Sequence, residues 1–287
     1  MKKAAAIIAI ALLATAAHGQ IGKEHDLSGN QINAEFYLEI AKGDVKSHSV
    51  INKFGSSLAI GTTWTVVSGS QTYPTPTTAA ALEILSSSNV DSTGNAGAQY
   101  VNVQGIGPDW RQQTERVALN GTQAVDLTGT WLRVYRMWVD ESNTYASTAA
   151  TTHDGTITLR ADGGGATWAQ IAKDGIFGLG QSLIAAYTVP LGKTAYLTQY
   201  TADVEPTKNA NIAFFQRCDA DDTSAPYSGT MRLQALHRGV QNTIDISNHV
   251  ARGPFVGPCD IGFLAKVANN TANISLQFNI VLVDNGE

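Results

Sequence analysis

The strongest constraint on the fold is a strict alternation of apolar and polar residues over short segments. From Ile274 to Leu282 every second residue is apolar, and most residues between them are polar. Because successive side chains of a strand point to opposite faces of its sheet, this pattern predicts a strand with one face over a core. Residues 156–160 and 231–235 alternate in the same way.

Further segments rich in β-branched and aromatic residues predict additional strands. They lie at residues 58–67, 100–103, 131–139, 183–189 and 195–204, and turn signals separate them at residues 120–121, 154–155, 190–192 and 252–254. Residues 77–85 have the composition of a short helix, but their setting favours a strand. Many short strands separated by turns predict an all-β chain of antiparallel, jelly-roll-like β-sandwiches.

The 287-residue chain is long enough for two domains of ordinary size. Asp162 is followed by three glycines, which marks a flexible boundary within residues 161–175. We therefore predict two consecutive β-sandwich domains, residues 30–161 and 176–287, joined by a Gly-rich linker. Residues 1–29 are predicted to be a leader or a docking arm.

The N-terminus has the layout of a secretory signal peptide. Lys2 and Lys3 precede an apolar segment from Ala4 to Ala17, and residues 17–19 offer a small-x-small cleavage site before Gln20. The apolar segment is too short for a helix that spans a hydrocarbon core of about 30 Å. We expect no stable membrane span, and either secretion after cleavage near Gln20 or an uncleaved arm that docks on a neighbouring subunit.

Composition narrows the function classes. The net charge of −5 and the absence of a basic cluster beyond the leader argue against nucleic-acid binding. Only 15% of residues are charged, which suits a β-protein packed against other chains. The two cysteines, Cys218 and Cys259, are too few for a structural zinc site. They predict either a disulfide or two buried free thiols.

The sequence contains no recognisable catalytic constellation. Gly192-Lys193-Thr194 resembles the end of a phosphate-binding loop but lacks its upstream glycine, so a tight hairpin turn is the better interpretation. Asp219, Asp221 and Asp222 form the one local carboxylate cluster, which predicts a solvated acidic loop or, less well, a calcium loop. We predict no enzyme activity, no cofactor, and no catalytic, cofactor-binding or metal-binding residue.

Aromatic residues suggest a different kind of site. Tryptophan and tyrosine rings stack on the apolar faces of sugars, and a core or interface position is the competing explanation. The candidates are Trp64, Trp110, Trp131, Trp138, Trp168, Tyr73 and Tyr100.

Two regions resemble structural proteins of tailed bacteriophages, many of them marine. The matching segments are residues 73–76, 81–86, 100–105, 115–121, 131–136, 180–190 and 192–197. The resemblance implies a virion component such as a head decoration, cement or fibre protein, whose partners are the major capsid protein or neighbouring head or tail subunits. It implies a homo-oligomer such as a trimer and carries over no catalytic residue. The leader is a departure, since such proteins seldom carry export signals.

The sequence is also compatible with two other functions. A secreted β-sandwich binding module, either an adhesin or a glycan-binding protein, would use exposed Trp and Tyr side chains as its site. A hydrolase on a β-scaffold would need a carboxylate pair, and Glu39, Glu83 and Glu115 show no such pairing in the sequence.

Overall fold

A computed structural model describes residues 24–25, 31–32, 36–145, 152–173 and 180–286. The chain separates into two compact units, residues 1–50 and 51–287. In the first unit, β1 (Glu24–His25) and β2 (Gln31–Ile32) pair antiparallel, and α1 (Phe36–Lys42) follows. The leader-like residues 1–19 and the proposed cleavage site lie outside the described residues.

The remaining described elements are strands. Their bounds are β3 (His48–Ile60), β4 (Thr65–Val66), β5 (Ala80–Ser86), β6 (Ala98–Ile106), β7 (Gln112–Ala118), β8 (Val125–Trp131), β9 (Arg133–Ser142), β10 (Ile157–Ala161), β11 (Thr167–Ile171), β12 (Ala186–Val189), β13 (Lys193–Val204), β14 (Ala210–Cys218), β15 (Arg232–Val240), β16 (Asn242–Val256), β17 (Cys259–Val267) and β18 (Ala272–Asp284). Among the described residues, no helix has the length and hydropathy of a transmembrane segment.

These strands form four antiparallel sheets besides the β1–β2 pair. Two sheets have the strand orders β11-β10-β5-β8 and β7-β6-β9. The other two have the orders β12-β17-β14-β15 and β16-β13-β18-β3, and β4 pairs with β17 beside the first of them. The predicted all-β, antiparallel fold class is therefore confirmed.

The last two sheets pack face to face through aromatic rings. Phe214 on β14 and Phe263 on β17 have ring centroids 4.9 Å apart. Phe263 in turn lies 5.0 Å from Tyr200 on β13 and 5.5 Å from Phe278 on β18. All four rings are fully buried. Alternating strand patterns thus place one apolar face of each sheet in a shared core, as expected of a β-sandwich.

A buried carboxylate organises the loops at one end of the β5 sheet. Asp91 accepts hydrogen bonds from the hydroxyl of Ser86 and from the backbone N–H groups of Ala98, Asp154 and Gly155. Because a buried carboxylate without partners is strongly destabilising, these four donors keep the loops close together. The predicted turn at residues 154–155 therefore has a structural explanation.

Several local predictions were wrong. Residues 58–67 do not form one strand, because β3 ends at Ile60 and β4 begins at Thr65. Residues 131–139 belong to two strands, which break at Leu132.

The predicted turn at 252–254 lies inside β16, where the pairing with β13 shifts register and accommodates the proline in an irregularity. No helix was predicted at Phe36–Lys42, where α1 forms. Of residues 77–85, for which a strand was favoured over a helix, residues 80–85 lie in β5 and residues 77–79 precede it.

The proposed domain boundary stays a prediction. Its glycines, Gly163 and Gly164, have positive φ values and close the hairpin between β10 and β11. Residues 174–175, at the end of the same boundary, and residues 176–179, at the start of the predicted second domain, lie outside the described residues. Strands β5–β11 form the sheets β11-β10-β5-β8 and β7-β6-β9. Strands β12–β18 form most of the other two sheets, which β3 and β4 complete.

The two cysteines form a disulfide, one of the two alternatives that the sequence left open. Cys218 ends β14, Cys259 begins β17, and the two residues are direct partners across the antiparallel pair. The crosslink therefore fixes the end of a strand pair from which the loop after Cys218 departs.

A lysine is buried beneath β9. Lys53 is 6% exposed, its ammonium donates to the backbone carbonyl of Tyr135, and Nζ lies 5.4 Å from the centroid of that ring. Burial, assisted by the nearby charge of Arg136, lowers the pKa of Lys53 to about 7. The protein thus holds a lysine that loses its proton near neutral pH.

We expect stability to rise with pH because of Lys53. Above a folded-state pKa of about 7 the folded protein releases this proton, while the unfolded chain keeps it up to its ordinary pKa of 10.5. The unfolded state then binds more protons, so the free energy of unfolding should increase by up to about 1.4 kcal/mol per pH unit between pH 7 and 10. Urea unfolding across this range should show the slope, and Lys53→Met should flatten it. An equal slope in both proteins would contradict the assignment.

Candidate functional site

The acidic residues singled out in the sequence do not converge on a metal site. Within the described residues, the carboxylates of Asp219, Asp221 and Asp222 do not form a group close enough to share an ion. Asp222 instead accepts hydrogen bonds from the backbone N–H groups of Ser224 and Ser228 and from the Ser228 hydroxyl. These bonds lower the pKa of Asp222, the largest contribution coming from the Ser228 N–H. The carboxylate serves as an internal brace of its loop.

A second acidic group, of three carboxylates far apart in the sequence, also has a structural explanation. Oxygen atoms of Glu83, Asp126 and Asp162 lie within 4.8 Å of one another. Glu83 already accepts hydrogen bonds from Arg160 Nε and from the backbone of Gly164. The hydrogen bond from Arg160 is the main cause of the lowered pKa of Glu83. The pair connects β5 with β10 and the hairpin turn.

The phosphate-loop-like segment is a turn. Residues 190–192 connect β12 to β13, and Gly192 has a φ of 79°, a conformation that favours glycine. The two strands belong to different sheets, so the prediction of a hairpin was wrong. A phosphate loop connects a strand to a helix N-terminus, and here a strand follows.

Most candidate aromatic residues for a sugar site are not assembled at the surface. Trp131, Trp168 and Tyr73 are buried. Tyr100 is covered by Arg116, whose guanidinium carbon lies 3.6 Å from the ring centroid. The arrangement predicted for an exposed Trp/Tyr site is therefore not formed by these side chains.

Trp110 and Trp138 are half-buried and each faces an arginine. The guanidinium carbon of Arg133 lies 5.0 Å from the ring centroid of Trp110, and that of Arg136 lies 5.7 Å from Trp138. Of the five tryptophans, Trp64 alone is exposed, at 40%.

Trp64 belongs to an apolar surface on the outer side of one sheet. It precedes β4 in the sequence. Four further apolar residues lie on the same side of the sheet: Leu264 on β17, Leu233 and Leu236 on β15, and Met231 just before β15. Leu233 is 59% exposed, Met231 57% and Leu236 36%. Together these residues line a shallow depression of about 670 Å³, called the apolar face below.

The geometry of the strands explains why these residues meet. Leu236 pairs with Ala213 on β14, and Ala213 pairs with Leu264 on β17, so the three side chains form a row across the sheet. Leu264 pairs in turn with Val66 on β4, which brings Trp64 to the end of the row. The opposite sides of these strands carry the buried aromatic core, so apolar side chains occupy both faces of this sheet.

Two cations and an open strand edge border the apolar face. Arg238 and Lys266 lie at its margin, and Lys266 Nζ is 5.1 Å from the centroid of the Trp64 ring. Among the described strands, β15 pairs with β14 alone and forms the edge of its sheet. An edge strand beside an apolar surface is a feature that natural monomers usually avoid.

A buried ion cluster lies near the disulfide end of the same strands. Asp260 on β17 accepts hydrogen bonds from Arg133 Nε at 2.9 Å, Arg217 Nη2 at 2.6 Å and the Thr188 hydroxyl at 2.5 Å. The Tyr73 hydroxyl lies 2.6 Å from Thr188 Oγ1, and burial, with the Asp260 charge, raises the pKa of Tyr73. Asp260 and Arg133 are both 1% exposed.

The hydrogen bonds of this cluster hold neighbouring strands together. Arg133 comes from β9, Thr188 from β12, Arg217 from β14 and Asp260 from β17, so one carboxylate connects four strands. All of its strong acceptor positions are taken by the protein's own donors. A carboxylate engaged in this way has no free lone pair suited to general-base chemistry.

Removing the shared carboxylate should be strongly destabilising. We expect Asp260→Leu to lower the free energy of unfolding by about 3–5 kcal/mol, because the buried Arg133 would lose its counter-ion. The matched control is Asp284→Leu, at the exposed pair with Lys193, where the loss should stay below about 1 kcal/mol. Urea unfolding of both variants measures the difference, and equal losses would contradict a structural role for the cluster.

Comparisons with known proteins identify no family. No family model and no curated protein match the chain. Among solved structures, it is similar to the VP2 subviral particle of infectious bursal disease virus, with 9% identity and a TM-score of 0.23 over 85% of this chain and 74% of that chain. A second similar structure is of T=1 particles derived from the same virus, with 9% identity and a TM-score of 0.20 over 84% and 75%. Both are viral capsid structures, and the similarity is too low to support an inference about function.

Proposed function

We propose that this chain is a non-enzymatic structural component of a viral particle, a decoration, cement or fibre-like protein that acts by subunit–subunit packing. The observation that carries the proposal is the apolar face beside the open edge of β15. A surface of this kind is unfavourable in water and is stabilised when another protein covers it.

The composition and the resemblance to phage structural proteins support the same proposal. Charged residues make up only 15% of the chain, and its strands build stacked sheets that offer broad faces to neighbours. The buried carboxylates Asp91 and Asp260 are satisfied by structural hydrogen bonds. These features suit a protein that holds its shape outside a cell.

We propose a second copy of this chain as the occupant of the apolar face. In a two-fold contact two identical apolar faces would meet, and Arg238 and Lys266 of one copy would lie close to the same two cations of the other copy and repel them. A head-to-tail contact avoids this repulsion, and it places the two cations against another part of a chain whose net charge is −5. A head-to-tail contact closes into a ring when the rotation between subunits permits closure, and three copies make the smallest such ring, so we propose a trimer.

Charges placed on the apolar face should prevent self-association. We expect Leu233→Asp combined with Leu236→Asp to yield monomers where the unchanged chain yields oligomers, because burial of the new carboxylates would be unfavourable. The control is Leu191→Asp, at an exposed leucine of the turn before β13. Sedimentation velocity measures the masses. Two results would overturn the proposal that the apolar face mediates self-association: an unsubstituted chain that is monomeric at all concentrations, or an oligomer that persists in the doubly substituted chain.

A virion role also predicts where the chain is found. Mass spectrometry of density-purified particles from the source should recover it in fixed stoichiometry to the major capsid protein. A first peptide at or near Met1 would identify the leader-like segment as a docking arm. Absence from particles, together with a secreted form that begins near Gln20, would reject the virion role in favour of an exported binding module.

A further inference from the structure

A separate cavity lies over the buried ion cluster. Its volume is about 360 Å³, within the range of small-molecule sites in proteins. One wall is the segment from Thr75 to Thr77, the other is the loop from Ala220 to Met231, and Arg133 and Arg217 lie between them. Met231 also borders the apolar face, whereas none of the other cavity-lining residues lines that face.

Both walls are held in place before any ligand arrives. Arg133 Nη1 donates to the carbonyl of Pro76 at 3.1 Å, which ties the first wall to the ion cluster. The second wall leaves β14 directly at the Cys218–Cys259 disulfide. Gly229 packs so closely that an added Cβ would lie 2.4 Å from the carbonyl oxygen of Asp219. A site fixed in this way loses little conformational entropy on binding.

Arg217 supplies two free N–H donors to the cavity. Its Nε and Nη2 donate to Asp260, and within the described residues its Nη1 makes no hydrogen bond. The side chain is 22% exposed. Because Asp260 holds the guanidinium in one orientation, the two N–H groups of Nη1 are presented as a fixed pair of donors.

The remaining lining has the mixed character of a sugar-binding surface. Tyr227 is 58% exposed and supplies an aromatic ring, while Thr77, Thr223 and Thr230 supply hydroxyl groups. Asp222, held ionised by its hydrogen bonds to the loop, adds a carboxylate to the same lining. Sugar rings present hydroxyl groups at their edge and an apolar C–H face, which matches donors, acceptors and a ring in one cavity.

The charges around the cavity favour a neutral ligand. Arg133 and Arg217 face Asp260 beneath the cavity and Asp222 in its lining, so the two positive and two negative charges balance. An acidic ligand would gain from Arg217 but would meet the Asp222 carboxylate in the same small volume. We propose that this cavity binds a neutral saccharide, with Arg217 hydrogen-bonded to its hydroxyl groups and Tyr227 stacked on its ring.

The test is a glycan array probed with the full chain, followed by titration of methyl glycosides of the bound neutral sugars. We expect binding to neutral glycans. Tyr227→Ala should weaken it roughly tenfold through loss of the stacking contact. Arg217→Lys, which keeps a positive charge beside Asp260 but loses the planar pair of donors, should also weaken it. The matched control is Tyr145→Ala, at a tyrosine that is 94% exposed and outside the cavity, and it should bind normally.

Thermal unfolding of each variant separates loss of binding from loss of folding. Tyr227 is exposed, so its replacement should leave Tm unchanged and give the decisive measurement. Absence of neutral glycans among the hits, binding restricted to acidic glycans, or neutral-glycan binding that Tyr227→Ala leaves intact would each overturn the proposal.

Discussion

The shared carboxylate of Asp260 is the interaction on which most of the structure depends. It lies on β17 directly opposite Arg217 on β14, and it also reaches Arg133 on β9 and Thr188 on β12. Desolvation of one carboxylate and one fully buried guanidinium is expensive, so the cluster is tolerated only with near-complete hydrogen bonding. That requirement fixes the positions of four strands relative to one another, which the non-directional burial of apolar side chains does not achieve.

The same strand pair determines what the outside of the protein presents. On their inner side, β14 and β17 contribute Phe214 and Phe263 to the aromatic core. On the outer side, Ala213 and Leu264 contribute to the apolar face. A strand that is apolar on both faces belongs inside an assembly more naturally than at a water interface, because a monomer gains nothing from the second apolar face.

Sequence patterns predicted the strands well and their arrangement poorly. The alternation of apolar and polar residues in 274–282 depends only on neighbours in the sequence, and this segment lies within β18 as predicted. The break between β3 and β4 follows from pairing: Val66 is held by Leu264, roughly two hundred residues away, and no pattern within 58–67 records that contact. The ion cluster was missed for the same reason. Arg133, Arg217 and Asp260 are far apart in the sequence, and each alone is an ordinary charged residue in a strand.

The candidate surfaces show a related limit of sequence reasoning. Alternation in residues 231–235 predicted a strand but not which side would be covered, and the structure leaves the leucine side exposed. Aromatic content pointed to a sugar site made of tryptophans, yet burial removes Trp131 and Trp168 from the surface. Tyr227 drew no attention because nothing in its neighbourhood marks it as exposed beside Arg217.

The apolar face and the cavity are connected by one loop. The loop that forms one wall of the cavity begins at the disulfide end of β14 and returns to Met231, which borders the apolar face just before β15. A neighbour that covers the face would therefore contact the end of the loop without filling the cavity. Because the disulfide and the braced Asp222 hold the rest of this loop, packing against the face can proceed while the Arg217 and Tyr227 side of the cavity stays open to solvent. If the chain assembles as proposed, each assembly presents the cavity in several copies, and repeated weak sites on one rigid body bind a surface far more tightly than one site does.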